Sequence, residues 1–82
     1  MYTVSPAQIR AARAFLGLSQ EDLAKKASVS LSAIARIEQE KGDPRLGTLE
    51  KIARALEKLG MEFLPPSDGK GEGLRVSKDR RR

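Results

Sequence analysis

The chain has 82 residues and contains no cysteine, no histidine and no tryptophan. Without cysteine it can form no disulfide, and without cysteine and histidine it lacks the side chains that hold most protein-bound zinc. The same absence removes the commonest general base and the thiol nucleophile of enzymes. We therefore expect no metal ion, no cofactor and no catalytic site.

Aromatic residues and long hydrophobic runs are also scarce. The aromatic residues are Tyr2, Phe15 and Phe63, so a hydrophobic core has to be built mainly from alanine, leucine, isoleucine and valine. No apolar stretch is long enough for a secretory signal or a membrane-spanning helix. This pattern predicts a cytoplasmic protein without a membrane partner.

Basic residues outnumber acidic ones, with 16 Lys and Arg against 11 Asp and Glu, which gives a net charge of +5. An excess of positive charge favours a polyanionic partner such as a nucleic acid. Four of the basic residues lie within residues 78–82. We interpret this segment as a basic tail that is either solvated or in contact with phosphates.

Two capping sequences mark the starts of the first two helices. Ser5 is followed three positions later by Gln8, and Ser19 is followed at the same spacing by Asp22. Each serine hydroxyl can accept a hydrogen bond from the third helical residue, whose side chain can bond back to the cap. Gly17 is expected to end the first helix in a left-handed conformation.

Two further helices are predicted downstream. The second helix should end near residue 27, and Ser30 can cap a third helix that runs to about Glu40. Gly42-Asp43-Pro44 then breaks the helical pattern. Apolar residues recur at helical spacing over residues 46–59 and predict a fourth helix.

The end of the chain differs in composition from the rest. Residues 61–64 alternate in a strand-like way, residues 67–73 are polar and rich in glycine, and residues 74–76 could form a second strand. The whole pattern predicts a mostly α-helical domain of four or five helices over residues 1–60. A short C-terminal β-strand or hairpin is expected over residues 61–77.

The most informative stretch is residues 20–37, where two predicted helices meet across only three or four residues. So short a connection suits helices that cross at a steep angle. The crossing requires a small residue, which Ala24 supplies. It also requires an apolar seam, which is available from Leu23, Val29, Ile34 and Ile37.

At these residues the sequence resembles a known family. The run LGLSQEDLA over residues 16–24, followed by Val29-Ser30, Ile34 and Ile37-Glu38, resembles the Cro/C1-type (XRE-like) helix-turn-helix of phage repressors and many small bacterial regulators. The resemblance covers about residues 6–59. It implies a lambda-repressor-like domain that binds double-stranded DNA through its third helix.

Three positions of the motif carry structural expectations. The family usually has glycine at the position of Ser28, where the turn needs a left-handed conformation. A serine there is either modestly strained or belongs to a differently built turn. The family also often pairs an arginine of the first helix with a glutamate near the end of the third, which here implies a partly buried ion pair between Arg13 and Glu38.

The resemblance also implies which residues face DNA. Base contacts are expected from Leu31, Ser32, Ala35 and Arg36. Among these, Arg36 is best suited to a bidentate contact with guanine. Contacts with the phosphate backbone are expected from Gln20, Ser30, Lys41, Arg45 and Arg10. The alternatives are ordinary surface roles: a solvated charge for the basic residues, a stray exposed apolar residue for Leu31 and a helix cap alone for Ser30.

A single recognition helix contacts only a few base pairs, so regulators of this kind usually bind as dimers. The dimer interface is expected at Leu56, Leu59, Met61, Phe63 and Leu64. A strand over residues 61–64 needs a partner for its backbone groups. That partner can be residues 74–76 of the same chain, a second copy of the chain, or both. Some related antitoxins pair a comparable strand across the dimer.

These observations predict a transcriptional regulator, namely a homodimeric repressor that binds a palindromic operator near its own gene. The alternative is a DNA-binding antitoxin that also binds a toxin protein. A third reading is a protein-binding module that has lost DNA binding, but the positions of Arg36 and Arg45 argue against it. Glu21 and Asp22 could face a polymerase subunit, although helix capping already explains them.

Overall fold

Four helices and a two-stranded hairpin make up residues 3–77, the part of the chain that the computed structural model describes. In chain order they are α1 (Pro6–Leu16), α2 (Gln20–Ala27), α3 (Leu31–Glu38), α4 (Leu46–Lys58), β1 (Met61–Leu64) and β2 (Gly73–Val76). This confirms the predicted mostly α-helical domain with a C-terminal hairpin. No helix in this part of the chain is long and apolar enough to cross a membrane. The predicted basic tail at residues 78–82 lies outside the described residues.

Both predicted capping boxes are present. The Ser5 hydroxyl accepts a hydrogen bond from the Gln8 N–H at 3.2 Å, and the Gln8 side chain accepts one from the Ser5 N–H at 3.0 Å. Ser19 and Asp22 form the same pair of bonds at 2.9 and 3.0 Å. α1 ends at Gly17, whose φ of +71° lies in the left-handed region that favours glycine.

α3 is shorter than its sequence pattern predicts. It ends at Glu38, two residues before the expected end at Glu40. Glu40 has a positive φ of 59°, which cannot continue a right-handed helix. The N–H of Glu40 donates to the Ile37 carbonyl, and the N–H of Lys41 donates to the Arg36 carbonyl, each at 2.9 Å. These bonds turn the chain sharply into the loop before α4.

The core lies between the four helices and the start of β1. Its least exposed large side chains are Ile9, Leu23, Ile34, Ile52 and Leu56. Gln8 of α1 is also buried, and its amide donates to the carbonyls of Leu64 and Gly73, one on each strand. The hairpin is therefore fastened to α1 by hydrogen bonds as well as packed against α4.

β1 and β2 pair with each other within one chain. The pairing is antiparallel, with Met61 opposite Val76 and Leu64 opposite Gly73. The Ser77 N–H also donates to the Gly60 carbonyl at 2.7 Å. Of the pairing arrangements that the sequence left open, the structure contains the one within the chain.

The hairpin changes the set of residues that can form a dimer interface. Leu56 and Met61 were expected there, but both are buried in the chain's own core. The reason is that β1 packs against α4, so that Leu56 on α4 and Met61 at the start of β1 both belong to the core. Leu59, Phe63 and Leu64 are only partly buried and keep surface that a second copy can contact.

Candidate nucleic-acid interface

The turn between α2 and α3 fixes the direction of α3. Ser28 adopts a left-handed conformation with φ 59° and ψ 44°, which is the first of the two alternatives that the family resemblance left open. The Val29 N–H donates to the Ala24 carbonyl at 3.0 Å, which closes the turn. Leu23 and Ala24 are buried, so the turn is anchored on the core and α3 starts from a fixed point.

The first residues of α3 form an exposed edge. The Ser30 hydroxyl caps the helix by accepting a hydrogen bond from the Ala33 N–H at 3.1 Å. Leu31 is 48% exposed although it is a large apolar residue, and Ser32 is exposed next to it. On the opposite side of the helix, Ile34 and Ile37 are buried. One side of α3 is thus packed against the core while the first residues of the helix face solvent.

A groove of about 290 Å³ runs beside this edge, between α3 and the segment from Lys41 to Thr48. Arg36, Lys41 and Arg45 all line it, and Asp43 is the acidic residue of the lining. Two residues expected at the bases, Ser32 and Arg36, are therefore brought to one concave surface with three expected at the phosphates, which are Ser30, Lys41 and Arg45. Ala35, also expected at the bases, is partly buried on α3.

Gly42 shapes this groove, although the sequence marked it only as a break in the helical pattern. It has a φ of +70°, and a Cβ atom placed there would lie 2.8 Å from Nη2 of Arg36. The guanidinium group of Arg36 therefore rests against the backbone of the loop, where a larger residue would displace it. Within residues 3–77 the side chains of Arg36, Lys41 and Arg45 form no hydrogen bond or ion pair, which leaves them available for an anionic ligand.

The family model for the helix-turn-helix matches residues 9–64, more than half of the chain. The chain belongs to the Cro/C1-type helix-turn-helix family. Comparison with curated proteins found no match. Membership of this helix-turn-helix family makes the protein a DNA-binding transcription regulator, with α3 in the position of the recognition helix.

A buried carboxylate holds the C-terminal end of the recognition helix. Oε2 of Glu38 lies 2.7 Å from Nε of Arg13, and Oε1 lies 2.8 Å from Nη2 of the same arginine. The ion pair that the family resemblance implied is therefore present. Gln20 donates a third hydrogen bond to Oε1 at 3.0 Å. Burial raises the pKa of Glu38, but the hydrogen bonds from Arg13 and Gln20, with the positive charges of Arg13 and Arg10, lower it below its usual value.

Two residues expected at the DNA backbone also belong to this network. The Gln20 amide is bonded to Glu38, and Arg10 donates to the Glu38 carbonyl and lies 3.4 Å from the Glu40 carboxylate. Both side chains therefore have protein partners in the free molecule. Their contacts with phosphate stay predictions. These internal bonds could not be predicted from local sequence patterns because they join residues 18 to 30 positions apart.

Proposed function

We propose that this protein represses transcription as a homodimer that binds a palindromic operator. Each copy inserts the leading edge of α3 into the major groove of one half-site. The observation that carries the proposal is the exposed edge of α3 beside a groove lined by Arg36, Lys41 and Arg45. A major groove about 12 Å wide admits an α-helix, and its base edges distinguish all four base pairs.

The chemistry of the edge assigns a role to each side chain. Arg36 has a guanidinium group without a protein partner among the described residues and can donate two parallel hydrogen bonds to O6 and N7 of guanine. Leu31 and Ala35 can pack on a thymine methyl group, and Ser32 can bond to several base edges. Arg36 therefore supplies most of the discrimination.

The residues around the edge position it on the DNA backbone. Lys41 and Arg45 have no ion-pair partner among residues 3–77 and lie on the far wall of the groove, where phosphates flank the bases. Ser30 is already a helix cap, and its hydroxyl can donate to a phosphate at the same time. Gln20 and Arg10 contribute either through phosphate contacts or by holding α3 in place.

Dimerisation is supported by apolar surface on and near the hairpin. Leu59, Phe63 and Leu64 are partly exposed, and Val76 of β2 is 39% exposed. A strand edge next to apolar side chains suits pairing with a second copy. Two recognition helices on such a dimer would read half-sites about 34–36 Å apart.

Selection of bound sequences from a random duplex pool tests the proposal. We expect enrichment of an inverted repeat with guanine at one position of each half-site. Arg36→Ala should lower affinity for the selected duplex by about 5-fold to 150-fold and relax that one position, whereas Arg75→Ala on the hairpin should not. Equal loss on every sequence would assign Arg36 to phosphate, and absence of any enriched sequence would refute specific recognition.

A further inference from the structure

A second basic surface lies away from the exposed edge of α3. A groove of about 270 Å³ separates the C-terminal end of α2 from the C-terminal half of α4. Its lining contains four exposed cationic side chains, which we call the α2–α4 basic patch: Lys26, Lys51, Arg54 and Lys58. Sequence reasoning missed the three residues of this patch on α4, although their spacing already placed them on one helical face.

The helical spacing concentrates these charges. Lys51, Arg54 and Lys58 follow one another at intervals of three and four residues, so they project from one side of α4. With a rise of 1.5 Å per residue they extend over about 10 Å. Lys26 faces them from α2 across the groove. Like charges at this spacing repel one another, and a bound anion would relieve that repulsion.

Among residues 3–77 no carboxylate forms an ion pair with this patch, although the charge of Asp22, one turn away on α2, acts on Lys26. None of the ion pairs between described residues involves Lys26, Lys51, Arg54 or Lys58, even though α4 also carries Glu50 and Glu57. By contrast, Arg10, Arg13 and Arg75 all have carboxylate partners. The four side chains of the patch, like those of Arg36, Lys41 and Arg45, therefore have no ion-pair partner among the described residues.

The composition of the lining favours nucleic acid over a protein partner. Three of the four cations are lysine, which is depleted in the cores of protein–protein interfaces. Such interfaces also need large apolar or aromatic anchors, and the apolar lining here consists of Ala27 and Ala55, both buried. Clustered Lys and Arg on one face is the electrostatic footprint of a nucleic-acid-binding protein. Duplex DNA presents about three phosphates per strand over 10 Å.

We propose that the α2–α4 basic patch binds DNA phosphates in addition to those that Ser30, Lys41 and Arg45 are proposed to contact. The inference rests on the proposed DNA-binding function and extends it to a second groove of the domain. The two grooves share no lining residue. They are nevertheless neighbours, because Thr48 at the end of the first lies one helical turn from Lys51 in the second. The patch adds affinity that does not depend on sequence.

The salt dependence of binding measures this contribution. The full chain is titrated with a fluorescent 40-base-pair duplex of random sequence over a series of NaCl concentrations. Lys51→Gln/Arg54→Gln is compared with Lys70→Gln/Arg75→Gln on the hairpin, which removes the same two residue types and the same charge. We expect the slope of log K against log[NaCl] to fall by about 1.8 in the patch variant, and to stay at the wild-type value in the control. Circular dichroism checks that both variants are folded.

Each outcome decides between the two proposals. A steep wild-type slope that falls only in the patch variant supports phosphate binding by the patch. Equal slopes for the patch variant and the hairpin control would refute phosphate binding by the patch but would leave the proposed DNA binding standing. No salt-dependent binding by the wild type would refute the proposed function itself. If the DNA slope is unchanged while a fluorescent ten-residue polyglutamate peptide loses binding to the patch variant, the patch binds an acidic protein instead.

Discussion

The carboxylate of Glu38 offers the sharpest test of how this domain is held together. Its side chain is only 4% exposed and accepts three hydrogen bonds, two from Arg13 and one from Gln20. Glu38→Gln keeps the size of the side chain but removes its charge. It also replaces one accepting oxygen with an NH₂ group, which is a donor and faces the donors of Arg13 and Gln20. Arg13 then remains as a largely buried charge without its anion.

The size of the effect follows from burial. Removing one partner of a buried ion pair costs about 3–5 kcal/mol. The Arg13 side chain is 22% exposed and still donates to the Leu18 carbonyl at 2.9 Å, so water and this bond recover part of the loss. We therefore expect about 3 kcal/mol, out of a total stability of about 4–12 kcal/mol for a chain of this length. The melting temperature should fall by about 12–24 °C.

Urea unfolding followed by far-UV circular dichroism measures this loss, and the hairpin provides a matched control. Glu62 accepts two hydrogen bonds from Arg75 at 2.9 and 3.0 Å, in the same forked geometry. The two side chains are 47% and 62% exposed, so water already screens the pair. Glu62→Gln should leave the unfolding midpoint almost unchanged. The double variant Arg13→Met/Glu38→Leu should be more stable than Glu38→Gln, because neither charge stays buried alone.

The dependence on pH gives an independent check with a defined sign. The pKa of Glu38 is lower in the folded protein than in the unfolded chain. Ionised Glu38 therefore stabilises the fold fully above its unfolded pKa of about 4.3, and this contribution is lost as the pH falls through the lower folded pKa. The difference in stability between wild type and Glu38→Gln should be constant from about pH 5.5 to 7.5 and shrink in acid. A loss no larger than that of Glu62→Gln, or a difference that does not change with pH, would refute the reasoning.

Two further substitutions test the turn and the dimer. Ser28→Gly should stabilise the protein by about 0.5–1 kcal/mol, because Ser28 has a φ of 59° that glycine adopts without strain. The urea midpoint measures this gain in stability. The control Ser30→Gly, at a residue with a negative φ, should show no gain. A loss of stability in Ser28→Gly would contradict the inference that the turn is strained. Phe63→Asp should convert the proposed dimer to monomers in sedimentation while circular dichroism still shows a helical fold; a helical variant that stays dimeric would place the interface elsewhere.

The sequence predicted most of what depends on neighbouring residues. The capping boxes at Ser5 and Ser19 and the left-handed end at Gly17 follow from local hydrogen bonding, and the seam of the helix crossing follows from helical spacing. The left-handed conformation of Ser28 was one of two alternatives that the family resemblance left open. The end of α3 was placed two residues late. Glu40 carries no local signal for a positive φ, which arises because the chain must turn toward α4.

Contacts between distant parts of the chain were harder to predict. The hydrogen bonds from Gln8 to the hairpin span 56 and 65 positions, and nothing in the local pattern marks Gln8 as more than a cap. The burial of Leu56 and Met61 was missed for the same reason, because an apolar residue on a helix or strand can face either its own core or a partner. The position of Gly42 against Arg36 likewise exists only once the loop has folded back on α3.

By itself the sequence determined the family and the starts of the helices, because the motif, the caps and the turn residues act over a few positions. Tertiary structure decided which charges are free. It paired Arg13, Arg10 and Gln20 with the end of α3. It left Arg36, Lys41 and Arg45, and the α2–α4 basic patch, without partners among residues 3–77. An ion pair forms only where packing brings opposite charges within reach, and no local sequence pattern fixes that distance.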